Sequence, residues 1–136
     1  MILSKIENSF KPTKDKKCSV GKRGMVTTAF PEATKAGVEM LKKGGNAVDA
    51  ACATALALGA CEPQASGIGG QSLAMLYVNK KSIAVDGSSR SPSLAHSSIY
   101  QNKTNRTIGY KATTVPSTLA LLGHIHERYG RLEWPK

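Results

Sequence analysis

Leu41-Lys-Lys-Gly-Gly-Asn-Ala-Val-Asp-Ala-Ala51 is the stretch that decides the fold. Gly44-Gly45 makes a left-handed stop for a helix arriving from the N-terminal side, because glycine enters positive φ without a steric penalty. Asn46 restarts the chain: its side chain can accept from the free N–H groups of a new first turn. Asp49 in that turn places negative charge at the positive end of the helix dipole. Two helices are therefore predicted in succession, joined by a few residues.

Working outward, Pro31 suits the first helical position. Ala33, Ala36, Gly37, Met40 and Leu41 then recur at three- and four-residue steps, with Glu32, Lys35, Glu39, Lys42 and Lys43 mostly on the other side. The spacing predicts an amphipathic helix over 31–43, with acid in its first turn and bases in its last. Met25-Val-Thr-Thr-Ala29 is rich in β-formers and predicts a strand leading directly into it. On the other side, 47–58 is apolar nearly all round, which predicts a central helix. Alanines 47, 50, 51, 53, 55 and 57 keep it slim enough for close neighbours.

Leu73–Val78 and Ser82–Asp86, separated by Asn79-Lys80-Lys81, read as a β-hairpin. Residues 87–110 are rich in Ser, Asn, Thr and Gly, predicting an exposed loop with a short helix near Leu94–Tyr100. A last helix is expected from Pro116 to Gly130, carrying Leu119, Leu122, Ile125, His126 and Tyr129. The fold class is α+β.

The length of 136 residues suits one domain, and aromatics at 5% leave a thin core of Ala, Leu, Ile, Val and Met. Lys5, Lys11, Lys14, Lys16, Lys17, Lys22 and Arg23 face only Glu7 and Asp15 in the first 24 residues, so half of the formal +10 is local. Residues 1–23 are read as a basic, poorly ordered arm and 24–136 as the ordered unit. The arm lacks aromatic interleaving or a base-reading motif, so no nucleic-acid partner is expected. The first residues hold no apolar run of signal-peptide length, and the longest apolar stretch elsewhere is broken by Asp49, Thr54 and Gly59. No membrane association is expected. Cys18, Cys52 and Cys61 are odd in number and lack paired spacing, which predicts reduced thiols and a cytoplasmic location.

Gly67-Ile-Gly-Gly70 lacks the Lys-Ser/Thr ending of a phosphate loop and leads into a strand, so a structural use of its glycines is expected. His124 and His126 are two apart and point to different helix faces, unlike a metal pair. His96 stands alone in a Ser-rich segment and reads as a surface residue. No metal or cofactor is expected.

Gly24-Met-Val, Leu41–Ala51, Glu62-Pro and Ser66-Gly-Ile-Gly-Gly70 follow one another in the order and spacing of the gamma-glutamyltranspeptidase family. Tyr77, Asp86, Pro92, Val115-Pro116 and His126-Glu-Arg-Tyr-Gly130 with Leu132 and Trp134 continue the pattern. Over about 24–136 the chain resembles the start of that family's large subunit. The resemblance implies part of an αββα sandwich of the N-terminal-nucleophile hydrolase type. It also implies as partners the remainder of the large subunit and a small subunit, whose N-terminal threonine attacks a gamma-glutamyl amide with its own amine as base.

The Thr-Thr/Ser-His-aromatic run around that threonine does not occur here: Thr27-Thr28 is followed by Ala29, and Thr113-Thr114 by Val115. No catalytic residue is assigned within the chain, and alone it is expected to be inactive. The family's start usually supplies one arginine that pairs with the substrate's alpha-carboxylate. Aligning Asp86 and Pro92 sets Ser88 at that arginine's position and Arg90 two residues later, on the same face if the strand persists. Arg90 either reaches the same pocket or pins the Ser-rich loop through carbonyls. The alternative to an enzyme segment is a binding or scaffold module that keeps the family fold without its chemistry.

Overall fold

A computed structural model describes residues 19–134, and most of the basic arm expected over 1–23 lies outside them. Three helices form, α1 over Pro31–Lys42, α2 over Ala47–Cys61 and α3 over Thr118–Tyr129. Between α2 and α3 lie β1 (Ser72–Val78), β2 (Lys81–Gly87) and three short 3-10 turns at Ser97–Tyr100, Lys103–Arg106 and Tyr110–Ala112.

The punctuation around 41–51 behaves as its residues dictate. Gly44 has φ 90° and Gly45 N–H donates to Met40 O at 3.0 Å, closing α1 with the six-to-one bond of a Schellman turn. Asn46 Oδ1 then accepts from Val48 N–H and Asp49 N–H, while Asp49 Oδ2 accepts from Asn46 N–H at 2.7 Å, a reciprocal capping box. The two helices pack closely at Gly37, where a Cβ would strike Thr54 Oγ1 and lie 2.9 Å from Val26 Cγ1.

The strand expected over Met25–Ala29 has no pairing partner among the described residues. Thr28 instead turns the chain into α1: its hydroxyl donates to Phe30 O at 2.6 Å and lies 2.7 Å from Thr34 Oγ1. Its β-propensity had nothing to pair with. The helix expected near 94–100 shrinks to a 3-10 turn, and α3 begins two residues after Pro116. Ser117 precedes α3, and its hydroxyl donates to Gly87 O rather than to the helix.

The hairpin turns through Asn79 and Lys80, both at positive φ, as a two-residue connection matched to strand twist requires. Its inner face brings Ala74, Leu76, Val78 and Val85 against Val48, Cys52, Leu121, Leu122 and Ile125. Its outer face carries Leu73, Met75 and Tyr77, opposite Asp86, Ala84 and Ser82. Met75 is 84% exposed, so no described layer covers this side.

Asp49 does more than cap α2. Its Oδ1 also accepts from Leu132 N–H and both oxygens from Arg131 N–H, each at 3.1 Å, and it lies 3.1 Å from His126 Nε2. Asn46 Nδ2 donates to Tyr129 O at 2.6 Å alongside. Gly130 leaves room, since a Cβ there would approach Asp49 Oδ1 to 3.1 Å. The C-terminal exit of α3 is thereby tied to the start of α2.

Burial pushes the Asp49 pKa upward, but the N–H donors of Asn46, Leu132 and Arg131 and the charge of His126 outweigh it, holding the carboxyl below its ordinary range. The unfolded form therefore binds a proton at a pH where the folded form does not. The stabilisation is present above the unfolded carboxyl's pKa, about 3.9, and is lost as pH falls through the lower folded value. Equilibrium urea unfolding of wild type is expected to show this acid loss. Asp49→Ala is expected to remove it and to cost about 3–5 kcal/mol near neutrality, because several buried donors lose their acceptor.

Candidate functional site

β2 ends directly on α3. A Cβ at Gly87 would lie 2.6 Å from Leu121 Cδ1 and 2.8 Å from Ser72 O, so only glycine lets the strand end approach the helix this closely. Gly70 O fixes the same helix by accepting from Ser117 N–H and Thr118 N–H at 3.0 and 3.3 Å. Past Gly87 the chain runs through Ser88 and Ser89 to Arg90, which exchanges both backbone bonds with Val115. Those bonds, 3.2 and 2.8 Å long, close the 91–114 excursion at its base.

An open cleft of about 740 Å³ lies between the end of β2, residues 88–90 and one face of α3. Ser88 lies on its edge with its polar groups already used: N–H and Oγ both donate to Asp86 Oδ1, at 2.9 and 2.6 Å. Those two bonds hold the Asp86 carboxyl below its ordinary range. Arg90 lines the cleft, and among the described residues its guanidinium makes no hydrogen bond or ion pair. Loop pinning by arginine occurs elsewhere: Arg106 Nε donates to Tyr100 O at 2.6 Å.

Of the other polar residues singled out from the sequence, His126, His96 and Cys52 lie away from this cleft, whereas Asp86 and His124 line it. His126 is bound to Asp49 and stacks edge-on against Trp134 at 4.8 Å. His96 Nδ1 lies 2.7 Å from Ser98 Oγ on the surface. Cys52 is a buried core thiol, raised to about 11 by burial and by the Asp49 charge, and its S–H reaches Leu122 O. Such a thiol is inert as a nucleophile. Gly67, Gly69 and Gly70 are not at positive φ, and a Cβ on any of them would meet nothing within 4 Å. Neither a tight turn nor crowding within the described residues therefore calls for glycine there.

The sequence reading predicts this last helix and names His124 on it, but does not identify the helix face as a wall of the site. Its residues in the cleft, Ser117, Ala120, Leu121 and His124, recur at i, i+3, i+4 and i+7, so helical spacing from Ser117 was the available signal.

Comparison with known proteins agrees with this arrangement. The family model described as Gamma-glutamyltranspeptidase matches residues 33–136. A glutathione hydrolase proenzyme of Bacillus subtilis strain 168 is 38% identical over 124 residues, covering 85% of this chain and 21% of that protein. An acylase ACY 1 proenzyme of Pseudomonas sp. strain V22 is 33% identical, covering 88% of this chain and 24% of its own length. The solved gamma-glutamyltranspeptidase from Pseudomonas nitroreducens complexed with L-DON superposes with a TM-score of 0.77 at 37% identity, over 85% of this chain and 36% of that one.

The open hairpin with helices on its inner face is thus part of an N-terminal-nucleophile hydrolase fold. More narrowly, the chain belongs to the gamma-glutamyltranspeptidase family. It spans about a fifth of the length of the curated relatives it matches.

Because Gly87 sets the distance between the two walls, Gly87→Ala is expected to lower stability by about 1–3 kcal/mol through overpacking against Leu121. Urea unfolding checks this, and an unchanged midpoint would show that α3 yields freely.

Proposed function

We propose that this chain supplies one wall of the active centre of an amide-cleaving hydrolase or acyltransferase, holding a carboxylate of a gamma-glutamyl or related acyl donor on Arg90. The observation that carries the reading is Arg90 lining the cleft, its guanidinium without a hydrogen-bond or ion-pair partner among the described residues and its backbone clamped by Val115. A guanidinium fork matches a carboxylate through two parallel hydrogen bonds. Ser88, at the position of the family's arginine, is engaged by Asp86, so recognition falls to Arg90, up to about 6–7 Å further along the chain. That displacement, and the likeness to an acylase proenzyme, support an acyl group not confined to gamma-glutamyl.

The nucleophile in this reading is an N-terminal threonine on another polypeptide segment. Its hydroxyl attacks the amide carbonyl while its amine takes the hydroxyl proton and passes it to the leaving nitrogen; the C–N bond breaks, the amine departs, and the acyl group left as an ester on the threonine oxygen is then transferred to water or an amino acid. The partners are the remainder of the large subunit and a small subunit. The uncovered side of the hairpin, with Leu73, Met75 and Tyr77, supports such a neighbour. The free thiols of Cys52 and Cys61 support a cytoplasmic setting. One observation favours the second reading, a scaffold without chemistry: serine in place of the family's arginine at position 88.

Activity separates the two readings. The isolated 136-residue chain is expected to show no hydrolysis of a gamma-glutamyl anilide, whereas its complex with the threonine-bearing segment hydrolyses it. In that complex Arg90→Gln is expected to raise KM roughly 10–100-fold, the worth of hydrogen bonds to a charged group. Turnover by the pure isolated chain would contradict the division of labour, and an unchanged KM would remove Arg90 from substrate recognition.

A further inference from the structure

Met25–Ala29 has the residues of a strand and the exposure of one, yet no strand lies beside it among the described residues. Val26, Thr28 and Phe30 are half-buried while Met25, Thr27 and Ala29 are exposed, the two-residue alternation of a strand lying on a core. Val26 packs inward, where a Cβ at Gly37 would come within 2.9 Å of its Cγ1. Among the described residues the backbone N–H and C=O groups of Met25 through Thr28 make no hydrogen bond. A row of such groups beside an apolar surface is the template onto which another strand adds.

The surface beside it is a groove of about 640 Å³ between Met25–Thr28 and α2. Ala47, Ala51, Ala55 and Leu58 form its α2 side at helical spacing, and the three alanines let a main chain come close. From Ala47 to Leu58 the helix advances about 16 Å, the length of about five strand residues. Thr54, only 7% exposed, also lines the groove, and its hydroxyl has no partner among the described residues.

One end of the groove is cationic. Arg23 and Arg131 line it where α1 turns into α2, with Arg131 Nη1 donating to Gly44 O at 3.4 Å. Lys22 and Lys42 stand with Arg23 around an adjoining hollow that shares Gly24, Leu41 and Gly45 with the groove. The acids nearest Lys42 and Arg131 in sequence, Glu39 and Glu133, line neither space, and Asp49 is committed to its backbone donors.

We propose that this groove takes an extended protein segment that adds to Met25–Thr28 main chain to main chain, lays small or apolar side chains on α2 and sets a carboxylate at the Arg23–Arg131 end. The segment belongs to polypeptide outside this chain, of which there is ample length: the matched part is 36% of the solved Pseudomonas nitroreducens chain. The basic arm carries the same sign of charge as the groove's end and does not fit it. The inference rests on the reading that this chain works with further polypeptide, and it is independent of Arg90.

The test uses the complex of this chain with the threonine-bearing segment. Hydrogen exchange read residue by residue is expected to show Met25 and Thr27, or Val26 and Thr28, slowed at least about tenfold against unprotected amides, because a strand pairs alternate residues along one edge. A photo-reactive phenylalanine analogue at position 27 is expected to attach to an extended segment with Asp, Glu or a C-terminus at its Arg23 end. Arg23→Glu is expected to weaken assembly about 10–100-fold and Arg23→Lys to recover most of it, the range of hydrogen bonds to a charged group. All four amides exchanging at unprotected rates, in a complex that hydrolyses a gamma-glutamyl anilide, sink this proposal alone. So do attachment to a second copy, to residues 1–18 or to a segment without a carboxylate, and an unchanged affinity for Arg23→Glu. If no complex forms, the reading of the chain as one part of a larger enzyme fails and takes this one with it.

Discussion

The Asp49 carboxylate gathers backbone donors from Asn46, Arg131 and Leu132 and lies against His126, and the placement of α3 follows from that convergence. A buried carboxylate is costly unless its acceptor sites are filled, so the cost itself enforces the geometry. The helix start, the turn before it and the exit of a helix about eighty residues later must meet at one point. With α3 held at its C-terminal end by Asp49 and at its N-terminal end by Gly70 O and Gly87 O, the face that lines the cleft has little freedom to move.

That double tether matters because the apolar core is small. It is built from Val48, Cys52, Leu121, Leu122 and Ile125, with the inner face of a two-stranded hairpin laid against them. An isolated hairpin is marginal in water and needs a packed face to persist. Here one face has it and the other does not: Leu73 and Tyr77 are about three-quarters exposed on the outer side. Fixed hydrogen bonds at both ends of α3 supply order that so few buried side chains would not give.

The cleft arises where β2 runs out. Gly87 brings the strand end onto α3, the Arg90–Val115 bridge holds the next segment, and the intervening serines spend their polarity locally, Ser88 on Asp86 and Ser89 on Gln71. Among the described residues the Arg90 guanidinium has no such partner.

The helix and hairpin limits were legible in the sequence because their signals are local: Pro31 opens α1, Gly44 stops it, Asn46 caps α2, and Asn79 begins the hairpin turn. Arg90 and Ser88 were legible as candidates through alignment with Asp86 and Pro92. Local signals failed where a partner was required. Met25–Ala29 has strand-forming residues but no strand to pair with among those described, and the helix after Pro116 starts at Thr118, beside the bonds of Ser117 and Thr118 to Gly70 O and Gly87 O. Asp49 read as a first-turn acid, since the residues that make it a hub lie near 126–132. The sequence by itself determined where elements begin and end, because capping, φ preference and periodicity act within a few residues. Only the tertiary structure decided that Asp49 joins two distant helices and that Arg90 and His124 line one cleft, because hydrogen-bond satisfaction and burial depend on which distant residues meet.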